Sequence, residues 1–228
     1  MYGKRLKASV SRLEQFAKCP FGHYARYGLK LRERSTYQLS SPDMGEFFHT
    51  LLHDFAIKLQ ERGLDWGKLT KEESWALVSE LAEQLVPSLQ HKILLSSARY
   101  RYLTHKLKRT VHHAVRVLGE HARRGIFIPI QLEVGFGPTE TLPGIEIPLT
   151  EDDSLLLCGQ IDRVDAAFLN GKVYLRILDY KSRELSLALD SIYYGLNLQL
   201  LTYLDVALQG AEVLLNTTSA LPDRKSVV

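Results

Sequence analysis

The first chemical signal in the chain is a pair of aspartates placed around a tight turn. Asn170-Gly171 lies between two runs of strand-forming residues, and both residue types accept the positive φ that a type I′ hairpin turn requires. A two-residue loop sets Leu169 opposite Lys172, and the same register sets Asp162 opposite Asp179. Counted from the turn, that pair falls on a non-hydrogen-bonded rung, where side chains approach most closely. Like charges held about 4.5–5.5 Å apart at Cβ destabilise a sheet unless a proton or a cation lies between them. A divalent ion with hard oxygen ligands answers that need. The alternative is a bulge or slipped register that turns one aspartate to solvent. Lys181, two residues beyond Asp179, projects from the same strand face. An ammonium there can orient an attacking water and stabilise charge developing on a phosphoryl group, or it can form a simple ion pair.

Two further residues belong with these. Glu133, in Q-L-E-V-G-F-G, is a third strand-borne carboxylate, either turned toward the pair or facing solvent on an amphipathic strand. His49 lies at the border of a helical apolar stripe, so it can point along the core toward a sheet edge. His53 lies nearly opposite that stripe and is expected in solvent. His112, His113 and His121 belong to a basic helix and are expected on the surface.

The elements that must position these groups follow from periodicity. Residues 1–42 form a basic, aromatic N-terminal segment, with Ser9 and Ser11 as candidate caps of a short helix. Residues 43–125 are helical. Asp43 can cap a helix in which Met44, Phe47, Phe48, Leu51, Leu52, Phe55 and Leu59 recur at helical spacing. A second helix is expected over about Lys71–Val86, stopped by Pro87. A third is expected over about Ser97–Arg124, with Gly125 as its C-cap glycine. Residues 126–215 change period. Strands are expected over Ile126–Gly137, Ile145–Leu149, Leu155–Phe168 and Lys172–Lys181, then a helix over about Leu196–Leu208. Residues 216–228 form a polar tail without periodicity, expected to be loose.

Composition narrows the class. With 228 residues, 45% hydrophobic and 24% charged, the chain is an ordinary globular length, not a disordered or collagen-like one. No run of about 18 apolar residues predicts a membrane span, and the N-terminus lacks the apolar stretch of a secretory signal. Two cysteines, Cys19 and Cys158, are too few for a disulfide framework and suit a reducing compartment. The net charge of +3 is unevenly spread. Residues 1–38 carry nine Lys/Arg against two acids, and residues 97–125 carry eight against one, so the remainder is acidic. Two basic segments beside a carboxylate site point to a polyanion partner, or equally to solvated helix faces.

The motifs occur in a recognisable order: G-x-x-x-H (Gly45 to His49), E-V-G-F-G (Glu133 to Gly137), G-Q-I-D-R-V-D (Gly159 to Asp165), I-L-D-Y-K-S (Ile177 to Ser182) and Q-L-L-T-Y (Gln199 to Tyr203). This order resembles the RecB-type branch of the PD-(D/E)XK nuclease superfamily. The segments Ser9 to Phe16, Cys19-Pro20-Phe21 and Tyr27-Gly28-Leu29 narrow the likeness to the C-terminal nuclease domain of AddAB-type helicase–nucleases, on their B chain, over about residues 5–208. The resemblance implies an α/β fold with a restriction-endonuclease-like core, in which a mixed central sheet is flanked by helices and preceded by an N-terminal helical region.

The resemblance also implies roles. His49, Asp162 and Asp179 match the family's metal ligands, with the backbone carbonyl of Tyr180. Lys181 matches the catalytic lysine. Gln199 and Tyr203 match the Q-x-x-x-Y motif that supports the site and the DNA strand, and Glu133 matches an acidic position. The metal would be Mg2+, or Mn2+ in its place, and the reaction hydrolysis of single-stranded DNA by a metal-activated water. The setting would be an ATP-dependent helicase–nuclease that processes double-strand breaks for recombinational repair, in the bacterial cytoplasm near the nucleoid, as a heterodimer with an A subunit. The chain has no P-loop lysine motif, so ATP would be handled elsewhere. Cys19 matches the first ligand of the family's [4Fe–4S] cluster. Two cysteines cannot supply the four ligands such a cluster needs, so the cluster is expected to be absent here. Cys158 reads as a small buried hydrophobe, and the chain reads as a truncated domain. A Cas4-like free-standing exonuclease and a non-catalytic DNA-binding module are the competing readings. The paired aspartates argue against the second, because a pure binder gains nothing from carboxylates beside a polyanion.

Overall fold

The computed structural model describes residues 5–32, 41–87, 98–181 and 188–216. They form two compact units. One comprises Met1–Arg34, Phe127–Asp179 and Glu184–Val228, and the other Ser35–Ile126 with Tyr180–Arg183.

The helical unit is built from α3 (Ser41–Glu61), α4 (Lys71–Leu85) and α5 (Ala98–Arg124). The stripe read from α3 is its buried face: Phe47, Phe48, Leu51, Leu52, Phe55 and Leu59 are all at most 5% exposed. Each such side chain contributes about 1.5–3 kcal/mol through burial. Asp43 lies inside the first turn of α3, so it favours the helix dipole rather than capping the end. Thr70 and Glu73 form a reciprocal capping box at α4. The turn between α3 and α4 is anchored by Trp66, whose ring packs on Phe55 at 5.3 Å, and by Arg123 of α5, which donates to the Gly67 carbonyl.

His112 departs from the expectation of a surface residue. Its α5 position faces α4, where it is buried, 3.0 Å from the Ser74 hydroxyl and edge-on to Trp75. Burial is the main cause that holds its pKa below the ordinary 6.5, with the neighbouring cations adding to it. The folded state therefore prefers the neutral ring, and the unfolded chain binds the extra proton. Stability is full above about pH 6.5 and falls as pH drops from there through the lower folded value. The urea midpoint of the wild type is expected to fall from pH 7 to pH 5.5 by more than that of His112→Gln. A pH-independent difference between the two proteins would contradict this.

The other unit holds two three-stranded sheets. In the first, β1 (Arg5–Ala8) pairs parallel with β4 (Ser154–Leu157), and β3 (Ile145–Pro148) pairs antiparallel with β4. In the second, β2 (Ile128–Phe136), β5 (Gly159–Leu169) and β6 (Lys172–Leu178) form an antiparallel sheet in the order β2-β5-β6. The α/β class with mixed pairing and flanking helices stands. The stretch expected as one strand over Leu155–Phe168 is two, β4 and β5, which belong to different sheets. Gly159 opens β5 because the Phe136 ring lies against it; a Cβ there would sit 2.7 Å from that ring.

The hairpin forms as read. Asn170 and Gly171 have φ of 53° and 72°, and the register runs from Leu169↔Lys172 to Arg163↔Leu178. The strand expected to reach Lys181 ends at Leu178. On α1 (Val10–Lys18), Ser9 is the cap, its hydroxyl accepting from the Arg12 N–H. A short helix α2 (Pro20–His23) and a π-helical turn (Tyr24–Gly28) follow. At the C-terminal end, α6 (Leu189–Tyr193) precedes the expected last helix, which is α7 (Gln199–Gln209) followed by a separate α8 (Ala211–Asn216). Tyr203, Val206, Ala207, Leu214 and Leu215 from α7 and α8 pack with Val10, Val134, Phe136, Val164, Ala166 and Val173 into the main core of this unit. Apart from Asn216, the tail read at 216–228 lies outside the described residues.

Candidate metal centre

Two carboxylates come from neighbouring strands, Glu133 from β2 and Asp162 from β5, and a third, Asp179, from the residue just past β6. The pairs Leu132↔Arg163 and Val134↔Ile161 bracket Glu133, so it stands level with Asp162. On the other side the β5–β6 ladder stops at Arg163↔Leu178, and Asp179 is the next residue along. The rung expected between Asp162 and Asp179 is not formed, yet the register leading to it is the one the turn dictates. One ligand oxygen of Glu133 and one of Asp162 lie within 4.8 Å of each other. Both aspartates also act on one hydroxyl, that of Tyr203 in α7. Asp162 therefore has an acid level with it on β2.

Glu133 is held in an unusual backbone state. Its φ of 50° lies in the left-handed region, which costs a non-glycine residue about 1–3 kcal/mol unless its surroundings fix it. Gln160 of β5 helps fix it, donating from Nε2 to both the Glu133 carboxylate and its carbonyl oxygen. Period-two alternation alone does not reveal that distortion.

Gln199 and Tyr203 of α7 close this site. Gln199 Nε2 donates to Asp179 Oδ1 at 3.2 Å and to the Tyr203 hydroxyl at 2.9 Å. The Tyr203 ring packs edge-on against Phe136. Burial, and then the charges of Asp179, Asp162 and Glu14, push its pKa up to about 12, against the opposing pull of the Gln199 hydrogen bond. Tyr203 therefore keeps its proton at neutral pH and remains a hydrogen-bond donor.

Behind this site, one residue on from Asp162, β5 carries a buried charge cluster. Asp165 is fully buried and accepts from Arg163 Nε at 2.5 Å and from Arg176 Nη2 at 2.5 Å. Phe127 stacks on the Arg176 guanidinium at 4.6 Å. The motif reading includes Arg163 and Asp165 but not Arg176, which joins them across the hairpin.

The remaining expected residues are placed as follows. His49 is half-buried on α3, its ring 6.0 Å from that of Tyr180 within the helical unit. Lys181 is exposed. Because β6 ends at Leu178, strand alternation does not put Lys181 on one face with Asp179. Cys19 is exposed, and its sulfur accepts from the Gly22 N–H as the cap of α2. Cys158 is half-buried rather than buried, its sulfur 3.7 Å from the Leu156 carbonyl. Two free thiols do not make a four-ligand cluster, so the chain's own cysteines do not fit a [4Fe–4S] centre. The three oxygen-donor side chains, by contrast, suit a hard divalent cation.

The chain belongs to the PD-(D/E)XK nuclease superfamily, whose family model matches residues 7–223. Curated relatives place it more narrowly. It is 67% identical over 218 residues to the B component of the ATP-dependent helicase/deoxyribonuclease of Desulfitobacterium hafniense, covering 96% of this chain and 18% of that protein. The proteins of the same name from Heliobacterium modesticaldum and Anoxybacillus flavithermus are 50% and 47% identical, over 99% and 97% of this chain and 18% and 19% of theirs. The chain thus spans less than a fifth of the length of the relatives it matches.

Proposed function

We propose that this domain hydrolyses phosphodiester bonds of single-stranded DNA as the nuclease part of an ATP-dependent helicase/deoxyribonuclease. The observation that supports this reading is Glu133 of β2 level with Asp162 of β5, with Asp179 following the last residue of β6 and hydrogen-bonded to Gln199. By the resemblance, Asp162 and Asp179, with His49 and the Tyr180 carbonyl, would hold a divalent cation, Mg2+ or Mn2+, and Glu133 would add a third carboxylate beside Asp162. Such a cation polarises a phosphoryl oxygen and lowers the pKa of water. The side chains do the rest. Gln199 would steady the Asp179 carboxylate through its hydrogen bond, and protonated Tyr203 would serve as a hydrogen-bonding group at the site. The Lys181 ammonium offsets negative charge that develops on the phosphoryl oxygens. The basic segments at 1–38 and 97–125 supply phosphate contacts that weaken as salt rises.

The wider setting follows from what the relatives' names state and from the resemblance. It comprises a partner A subunit, an ATP-driven motor outside this chain, a role in double-strand break repair, and a bacterial cytoplasmic, nucleoid-associated location. No helix among the described residues is long and apolar enough to cross a membrane. Cys19 stands at the position of a [4Fe–4S] ligand in the family, and with two cysteines this chain would not hold that cluster by itself. Identity over nearly the whole chain to helicase/deoxyribonuclease components of one name favours this reading over a Cas4-like free-standing exonuclease.

The test is cleavage of an end-labelled single-stranded oligonucleotide. Cleavage is expected with Mg2+, is abolished by EDTA, and returns on adding Mg2+ or Mn2+. Cleavage that continues at full rate in EDTA would contradict the proposal.

A further inference from the structure

We infer that Glu14 is a positioning residue for the nuclease site, acting through the first turn of α7. This deepens the proposed function and rests on that reading. The N-terminus of a helix leaves backbone N–H groups without intrahelical partners. At α7 the cap position is Leu198, whose side chain accepts no hydrogen bond, and no acid stands in the first turn. The deficit is met from far along the chain. Glu14 Oε1, on α1, accepts from the Leu198 N–H at 2.7 Å and from the Gln199 N–H at 3.2 Å. A carboxylate at this end also meets the positive pole of the helix dipole.

The consequence lies one residue further on. Gln199 is the group whose amide spans Asp179 and Tyr203. Its side chain can hold both only if its backbone is fixed, and Glu14 fixes that backbone. Glu14 also adds to the charges that keep the Tyr203 proton in place. The sequence marks it weakly: Glu14 and Glu33 are the only acids among the first 38 residues, which carry nine Lys/Arg. A charge brought into so basic a segment and then tied to backbone donors is not there to solvate a helix face. The chain thus couples its N-terminal segment to the carboxylate that anchors the cation.

Two isosteric variants separate this from mere packing. Glu14→Met keeps the stem and removes both acceptor oxygens, whereas Glu14→Gln keeps a carbonyl oxygen that can accept both N–H groups. Mg2+-dependent cleavage of a single-stranded oligonucleotide is measured in the full protein. Glu14→Met is expected to lower kcat by about 10–100-fold with KM for the oligonucleotide within about twofold, as loss of an outer partner of a metal site does. Glu14→Gln is expected to stay within about fivefold of the wild type. In a Gln199→Ala background, Glu14→Met is expected to cost less than about threefold more, because the two act as one unit. Equal rates for the Met and Gln variants, or full additivity with Gln199→Ala, overturn the inference.

Backbone amide exchange at Leu198 and Gln199 reads the same contact without activity. It is expected to speed up in Glu14→Met and stay slow in Glu14→Gln, and unchanged exchange in Glu14→Met also overturns the inference. Should Glu14→Met not fold, Glu14→Asp, one methylene short, replaces it with the same expected outcomes. A wild type that fails to cleave at all contradicts the nuclease reading, while the exchange result still decides the role of Glu14.

Discussion

Asp179→Ala is expected to lower Mg2+-dependent cleavage by at least about a thousandfold, which is about 4 kcal/mol of lost transition-state stabilisation. The affinity for single-stranded DNA is expected to remain within a few-fold of the wild type, because that affinity rests mainly on Lys and Arg contacts to phosphate. The separation follows from where Asp179 sits. It is the first residue past β6, at the open end of the hairpin, and its carboxylate is held by Gln199. Under the proposed function, removing it would take a ligand from the cation without touching the basic segments. Cleavage by single-turnover assay and binding in Ca2+ are the two measurements. Equal loss of both would mean that Asp179 supports the fold or the DNA contact rather than the reaction.

The second large effect concerns stability. Asp165→Ala is expected to destabilise the protein by about 3–5 kcal/mol, seen as a lower midpoint in urea. Asp165 is 0% exposed and Arg163 is 2% exposed, so removing the carboxylate strands a guanidinium away from water. The same principle gives a contrasting expectation for the whole cluster. Replacing Arg163, Asp165 and Arg176 together by apolar residues of similar volume is expected to cost far less than Asp165→Ala alone, because no charge is left unpaired. A loss below about 1 kcal/mol in Asp165→Ala would show that Arg163 finds water or another acceptor, and the cluster would then lose its role as the fixed back of β5.

What the sequence makes legible here is mostly local. Asn170-Gly171 sets a register by turn chemistry alone, and the observed pairing follows it rung by rung. The apolar stripe of α3 and the capping role of Ser9 are also short-range signals. The misreadings share a different cause. β1 has four residues, two of them basic, and owes its existence to β4, about 150 positions away, so no periodicity announces it. Leu155 to Phe168 looks like one apolar run, and it divides because β4 pairs with β1 and β3 whereas β5 pairs with β2 and β6. His112 reads as one more polar residue on a basic helix, but Ser74 and Trp75 of another helix decide its burial.

The candidate site shows the same division. Gln199 and Tyr203 are legible because helical spacing puts them on one face, and the turn at 170–171 sets the register that leads toward Asp162 and Asp179, whose own rung is not formed. The left-handed backbone of Glu133 and the reach of Glu14 to α7 depend on tertiary contacts, and no spacing encodes them.

In the proposed site Glu133 of β2, Asp162 of β5 and Asp179, just past β6, share one divalent cation. Crystals soaked in Mn2+ and measured near the manganese absorption edge test it most directly. The account predicts an anomalous peak in coordination distance of Asp162 and Asp179, absent from Asp162→Ala crystals soaked in the same way. An ion bound elsewhere in a protein that still cleaves DNA, or a peak that persists in Asp162→Ala, would contradict it.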